Sequence, residues 1–428
     1  MTDNKTLQQQ FSSSIRRGTG EAHLILQRHP ATDFSDEIIK AAIWNYAYDA
    51  QSEGSRAIYI AELMALSLHQ DKIRNAILTG LATEENDTWA LVQLFDLAKI
   101  LAQKGDQEAR QAIYNRFYTK IIKGSSWCGY TDILELDGFE GMQFIATTIG
   151  KAIEQDPTIW EDNGIIDHFQ KDHPEMNAWP ALEDAGQHNR FIKTYLEKIT
   201  ETEKRRDQWV EEHPRPEINY STVTENIKNK ATIPVRYGGA KQLSATDLKK
   251  LADDFLQETD RLKQEKYCRI FAKVKYPYDD YQPLLALAKS NYLKTDRLVE
   301  FASGALKYFT GPDIRQFALD QLNQNQTPYR YLDLLVANYK EGDDQLLTNI
   351  ALAFNDEDDI HAIADGYTDI YAANPTKDCK EPLEILYSKL TCGICRGIIL
   401  RRLIDNNVLS EQLKQEMQYD SYTDNRAL

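Results

Sequence analysis

Cys392 and Cys395 stand in a C-x-x-C spacing inside SKLTCGICRGIILRRL, residues 388–403. Two thiols so spaced suit zinc ligation or thiol redox chemistry. Zinc takes about four Cys or His ligands, and the nearest others along the chain are Cys379 and His361, neither arranged as a second pair. A thioredoxin-type pair needs a strand running into a helix, and the surrounding residues carry helical periodicity instead. Packing inside a helix is therefore the expectation for this pair. A reactive thiol pair and a metal site stand as the alternatives.

Four other stretches carry chemistry-capable groups. In WCGYTDILELDGFEGMQFIATTIG, residues 127–150, the acids Asp132, Glu135, Asp137 and Glu140 follow a strand-like TDILEL. Four carboxylates so close suit Mg²⁺ or acid/base work, but acids also gather at helix N-termini to oppose the dipole, and that reading is preferred. His168, His173 and His188 lie among Asp167, Asp172, Glu183 and Asp184. Pro174 and Pro180 interrupt that segment, and it reads as a solvated loop. In residues 45–63 a polar turn holds Tyr48, Asp49, Gln51, Glu53 and Arg56, flanked by Tyr46 and Tyr59. It reads as a hairpin turn, or as a partner-contacting surface of the Tyr/Arg kind. Finally, residues 226–251 place Lys228, Lys230, Arg236, Tyr237 and Lys241 around Gly238-Gly239, ahead of a helix starting near Ser244. That arrangement fits an exposed connector, or an anion- or partner-binding turn.

The elements that must position these groups are helices. Ala, Leu, Gln, Glu and Lys abound, apolar residues recur at i, i+4 and i+8, and Gly and Pro mostly punctuate. The 428 residues, 42% hydrophobic and 27% charged, allow two or three compact domains or one long repeat array. No run approaches the roughly 18 apolar residues of a spanning helix, MTDNKTLQQQFSSSIRR lacks a signal-peptide order, and five cysteines over 268 positions fit a reducing compartment. A cytoplasmic protein without membrane contact is expected. The formal charge of −16 disfavours nucleic acid. It is uneven, since residues 190–276 hold 19 Lys and Arg against 14 Asp and Glu, leaving +5 there and −21 elsewhere.

A repeat frame emerges in DKIRNAILTGL, DQEARQAIYNRF and GPDIRQFALDQL, in each of which a basic residue has apolar partners one before, three after and seven after. The members are Ile73, Arg74, Ile77 and Leu81; Ala109, Arg110, Ile113 and Phe117; Ile314, Arg315, Ala318 and Leu322. DEIIKAAIWNYA fits with Ile39, Lys40, Ile43 and Ala47, and Cys395, Arg396, Ile399 and Leu403 fit too, which puts Cys395 in an ordinary apolar place. The steps from Lys40 to Arg74 and from Arg74 to Arg110 are 34 and 36 residues, one helical hairpin each.

This acid-apolar-Arg opening resembles the second helix of a HEAT repeat, over roughly 33–120 and 290–428. The resemblance implies an all-α, HEAT-like α-solenoid of stacked helical hairpins with an irregular middle segment. It implies structural roles for Asp71 with Arg74, Asp106 with Arg110, Asp313 with Arg315, and Asp424 with Arg426, the Asp at the inter-helix turn and the Arg bridging to a neighbouring repeat. Lys40 stands in the Arg place of the first unit. The expected organisation is 1–200, a repeat lobe; 201–244, a basic connector; and 245–428, a second repeat lobe.

Neither G-x-S-x-G, H-E-x-x-H, a Gly-rich dinucleotide fingerprint nor a Walker A loop occurs. The expected function is a non-catalytic scaffold binding a protein or peptide on a concave surface, with no cofactor and no catalytic or metal residue. The alternative is a nucleic-acid binder related to the HEAT-like alkylpurine DNA glycosylases, and a metal or acid/base enzyme stands third.

Overall fold

The computed structural model describes residues 4–122, 128–214, 217–229, 233, 235, 238–291, 293, 297–324 and 327–428. Among them all regular structure is helical, and no strand occurs. No helix there is long and apolar enough to cross a membrane. Two compact units form: the first spans Met1–Pro214, Thr391–Gly393 and Gln412–Ala427, and the second spans Arg215–Leu390 and Ile394–Glu411. The last stretch of the chain, expected with 245–428, thus belongs to the N-terminal unit.

That unit contains α1 (Asn4–Arg17), α2 (Glu21–Arg28), α3 (Ser35–Ile43), α4 (Ala50–Glu53), α5 (Ala57–Leu66), α6 (Gln70–Thr83), α7 (Thr88–Gln103), α8 (Gln107–Ile122), α9 (Tyr130–Gln155), α10 (Gly164–Asp172), α11 (Ala178–His188) and α12 (Arg190–Glu212). The second contains α13 (Tyr220–Lys228), α14 (Ala245–Gln257), α15 (Arg261–Phe271), α16 (Gln282–Ala288), α17 (Leu298–Leu306), α18 (Pro312–Gln324), α19 (Asp343–Ala353), α20 (Glu357–Ala373) and α21 (Lys380–Lys389). Then follow α22 (Gly393–Asp405) and α23 (Glu411–Met417).

The turn from α7 to α8 shows how the sequence writes these joints. Asp87 caps α7 by accepting from the amides of Trp89 and Ala90, and Leu91, Leu94, Phe95 and Ala98 bury its inner stripe. Gly105 ends it at φ +97, a left-handed turn that glycine adopts without strain. Asp106 then accepts from Ala109 N at 3.1 Å to start α8. The stripes of α6, α8 and α18 are buried as read, from Ile73, Ile77 and Leu81 through Phe117 to Leu322. The stripe of α3 is shifted by one: Ile38, Ala41 and Ala42 are buried, Ile39 and Ile43 only partly, and the helix has ended before Ala47.

Further departures are local. TDILEL is helical, because Ile133 and Leu134 turn inward on α9, and the break falls at Gly138 (φ 54, ψ −126). The His/acid stretch is two short helices, α10 and α11, rather than a loop. α9 packs along α12 at close range: a Cβ on Gly150 would stand 1.9 Å from the carbonyl oxygen of Phe191. Gly150→Ala is therefore expected to lower the stability of this unit by about 2–3 kcal/mol, since the obstacle is backbone and cannot rotate away. All six tryptophans precede Pro214, so the urea midpoint followed by tryptophan fluorescence reads that loss directly.

Candidate functional site

Three ion pairs repeat one geometry. On α6, Arg74 donates from Nε to Asp106 Oδ2 at 2.5 Å and from Nη2 to Asp106 Oδ1 at 2.9 Å, and also reaches Glu108 at 2.6 Å. On α8, Arg110 reaches Asp137 of α9. In the second unit Arg315 of α18 makes two bonds to Asp343 of α19, at 2.6 and 2.7 Å. In each case the arginine of one helix holds an acid about 30 residues on, at the start of another helix or, at Asp137, beside the break in α9. The Arg74 guanidinium holds the Asp106 carboxyl down at about 2. Asp71 lies exposed in the first turn of α6, whose N-cap position is taken by His69. Asp313 instead accepts from Tyr281, Gln282 and its neighbour's amide. Arg426 pairs with Glu62 at 2.8 and 2.9 Å.

The polar turn 45–63 is in part an internal joint. Asp49 caps the short α4. Glu53 and Arg56, read as surface candidates, have side chains only 3% and 5% exposed. Arg56 donates to the carbonyls of Arg16 (2.7 Å) and Thr391 (3.0 Å), and Glu53 accepts from Gly393 N at 2.7 Å. Tyr48 is half-buried and Gln51 exposed. The buried polar groups are spent on the returning residues 391–393 rather than offered to a partner.

The basic stretch is only partly described. Lys230, Arg236 and Tyr237 lie outside the described residues, whereas Lys228 and Lys241 are exposed. Ser244 caps α14 as the sequence reading places it, accepting from Asp247 N. Lys249 and Lys250 lie over the rings of Tyr278 and Tyr220, at 6.0 and 5.4 Å from the centroids.

The acids 132–140 separate into two groups. Asp132 and Glu135 face Lys99 of α7, whose ammonium lies 3.2 Å from Asp132, 2.9 Å from Glu135 and 3.1 Å from Asp96. Ser55 donates to the other oxygen of Asp96 at 2.5 Å. Asp132 is 3% exposed, and burial, seconded by Asp96 and opposed by Lys99, pushes its carboxyl well above the usual carboxylate range. Asp137, held by Arg110 and by the Tyr114 hydroxyl, forms the floor of a cleft of about 580 Å³ between α8 and α9. Gln107, Gln111, Asn115, Tyr118, Thr119, Glu140 and Phe144 complete its walls.

Sequence reading missed a second buried acid. Glu161, 4% exposed with no hydrogen-bond partner on Oε2, is pushed up to about 8 by burial and by Asp162. It neighbours the fully buried Tyr195 hydroxyl, which has no hydrogen-bond partner either. Nothing in NGIIDHF or its flanks signals this, since one acid in a polar loop looks solvated.

Cys395 and Cys392 are buried, 5% and 3% exposed. Cys395, Ile399 and Leu403 line one stripe of α22, as the repeat frame expects. Arg396 was expected beside that stripe and is fully buried. Sequence reading also set His361 aside; α20 brings its Nδ1 to 3.3 Å from Cys395 Sγ. The signal available was spacing: His361 precedes Cys395 by 34 residues, the same step as from Lys40 to Arg74. The histidines 168 and 173 instead meet single acids, Asp172 and Glu175, each at 3.5 Å. No protein-family model matches this chain, and neither does any curated protein or solved structure.

Proposed function

We propose that the chain is a non-catalytic interaction scaffold that holds a protein or peptide segment on its N-terminal unit, in the cleft between α8 and α9. The observation that carries this reading is the lining of the cleft. Asp137 is saturated by Arg110 and Tyr114, so it is not poised as a base. What remains is a row of amides along one face of α8, Gln107, Gln111 and Asn115, of which Gln111 donates to Asn115 at 3.0 Å, with Tyr118 at its end, 44% exposed. Amide side chains carry both donors and acceptors, which suits the alternating N–H and C=O groups of an extended peptide. A half-exposed tyrosine adds apolar area at low entropic cost. The recurring Arg74–Asp106, Arg110–Asp137 and Arg315–Asp343 pairs support the stacked-hairpin, HEAT-like reading of the fold that would repeat such faces.

The test is capture of a partner by the tagged full-length chain from its source cells, followed by binding measurements on the purified pair. Tyr118→Ala together with Gln111→Ala is expected to weaken binding about tenfold or more, which corresponds to about 1.4 kcal/mol. An unchanged affinity would remove the cleft from the proposal. Recovery of salt-labile nucleic acid instead of protein would favour a phosphate-binding role.

A further inference from the structure

We infer that the first turn of α22 and the turn of α20 facing it form a zinc site, with Cys392, Cys395 and His361 as the ligands. The geometry is the first argument. One donor atom from each residue, the two sulfurs and an imidazole nitrogen, all lie within 4.8 Å of one another, with Cys395 Sγ and His361 Nδ1 at 3.3 Å. Tetrahedral zinc, with bonds of about 2.3 Å to sulfur and 2.0 Å to nitrogen, sets neighbouring ligand atoms roughly 3.5–3.8 Å apart. A single ion is thus reached from all three with side-chain adjustments of about 1 Å.

The second argument is the backbone beneath the sulfurs. Cys392 directly precedes Gly393, where α22 begins, and Cys395 is the third residue of the helix. A helix N-terminus is electropositive, which suits the net negative charge of metal-bound sulfur ligands. Zinc uptake replaces the two thiol protons, which leave to solvent, so binding releases protons.

The third argument is donor chemistry. Two sulfurs and one nitrogen select a thiophilic ion over Mg²⁺ or Ca²⁺, which require oxygen. Among the described residues no other set of three His, Cys, Asp or Glu side chains converges in this way, the acids near Asp137 included. Both cysteines are buried, while His361 is half-buried and leaves a route for the ion. Three protein ligands fill three positions, and the fourth is left to water or a small anion.

The test uses the reduced full-length protein, stripped with a chelator and titrated with Co²⁺ as a spectroscopic probe. One equivalent is expected to bind with sulfur-to-cobalt charge-transfer absorption and the intense visible bands of tetrahedral Co²⁺, and Zn²⁺ is expected to displace it. The Cys392→Ser/Cys395→Ser variant is expected to lose the charge-transfer band, and His361→Gln to weaken Zn²⁺ binding about tenfold or more. Absence of the band in the wild-type protein, or its survival in the double variant, would overturn the assignment. A measurement on the wild type alone guards against misfolded variants: Zn²⁺ should shield Cys392 and Cys395 from alkylation and leave the half-exposed Cys128 reactive. Equal labelling of the pair with and without Zn²⁺ would refute the site.

Discussion

Arg56→Ala is expected to destabilise the N-terminal unit by about 3–5 kcal/mol, the cost of removing one partner from a buried charged network. Its guanidinium donates to the carbonyls of Arg16 and Thr391, at 2.7 and 3.0 Å, and lies 3.7 Å from the Glu53 carboxylate. Its backbone N–H donates to Gln93, whose amide in turn holds the end of α3 through the carbonyls of Ala41 and Ala42. Alanine keeps that last link and loses the others. Two carbonyls are then left short of a donor in a place only 4% exposed, and the Glu53 carboxylate keeps the amides of Asp49 and Gly393 but loses the guanidinium beside it. The measurement is a urea transition followed by tryptophan fluorescence, whose midpoint is expected to fall by about 1 M or more. A change below about 1 kcal/mol would mean that water replaces the guanidinium and that the joint is not closed. Arg56→Lys is expected to lie between, because an ammonium keeps the charge but cannot serve two carbonyls through a rigid fork.

That joint marks the limit of what sequence could reveal. The helical stripes were legible because burial on a helix obeys a local period: Ile73, Ile77 and Leu81 need no distant information to be recognised. Arg74, Arg110 and Arg315 were singled out by their shared sequence frame, and each meets an acid 27 to 32 residues further on. Glu53 and Arg56 misled because a polar turn looks the same whether water or a returning chain satisfies it. Their partners at 391–393 stand more than 330 residues away, and no periodicity spans that interval. The TDILEL segment misled differently: its β-branched and apolar residues suit a strand locally, but burial of Ile133 and Leu134 along α9 decides in favour of the helix. His361 was discarded because a search for ligands along the chain looks for pairs, whereas the packing of α20 beside Cys395 brings together residues 34 apart. The two carboxyls that titrate abnormally, Asp132 and Glu161, were equally hidden, since depth of burial is a tertiary property.

Those two acids give the N-terminal unit an unusual pH dependence: its stability is expected to fall as pH rises from about 5 to about 8.5. The sign follows from linkage. An unfolded Asp or Glu loses its proton near 4, whereas Glu161 in the folded unit keeps its proton until about 8 and Asp132 is also raised. Across that interval the native state binds more protons than the unfolded chain, so stability declines with pH and levels off above the folded values. Asp132, raised by burial and by Asp96 against the pull of Lys99, contributes with the same sign as Glu161. Together the two groups are expected to remove about 2–4 kcal/mol, each tenfold change in proton concentration being worth up to about 1.4 kcal/mol per group. Below pH 4 the slope reverses: Asp106, held down by Arg74, and Glu84, held down by the amides of Asp87 and Asn86, contribute stability that is lost on protonation. The optimum therefore falls near pH 5. Urea midpoints by tryptophan fluorescence at half-unit pH steps measure the curve, and Glu161→Gln is expected to flatten its alkaline limb by about half. A wild-type stability that stays level from pH 5 to 8.5 would show that water reaches both carboxyls and that neither is held neutral.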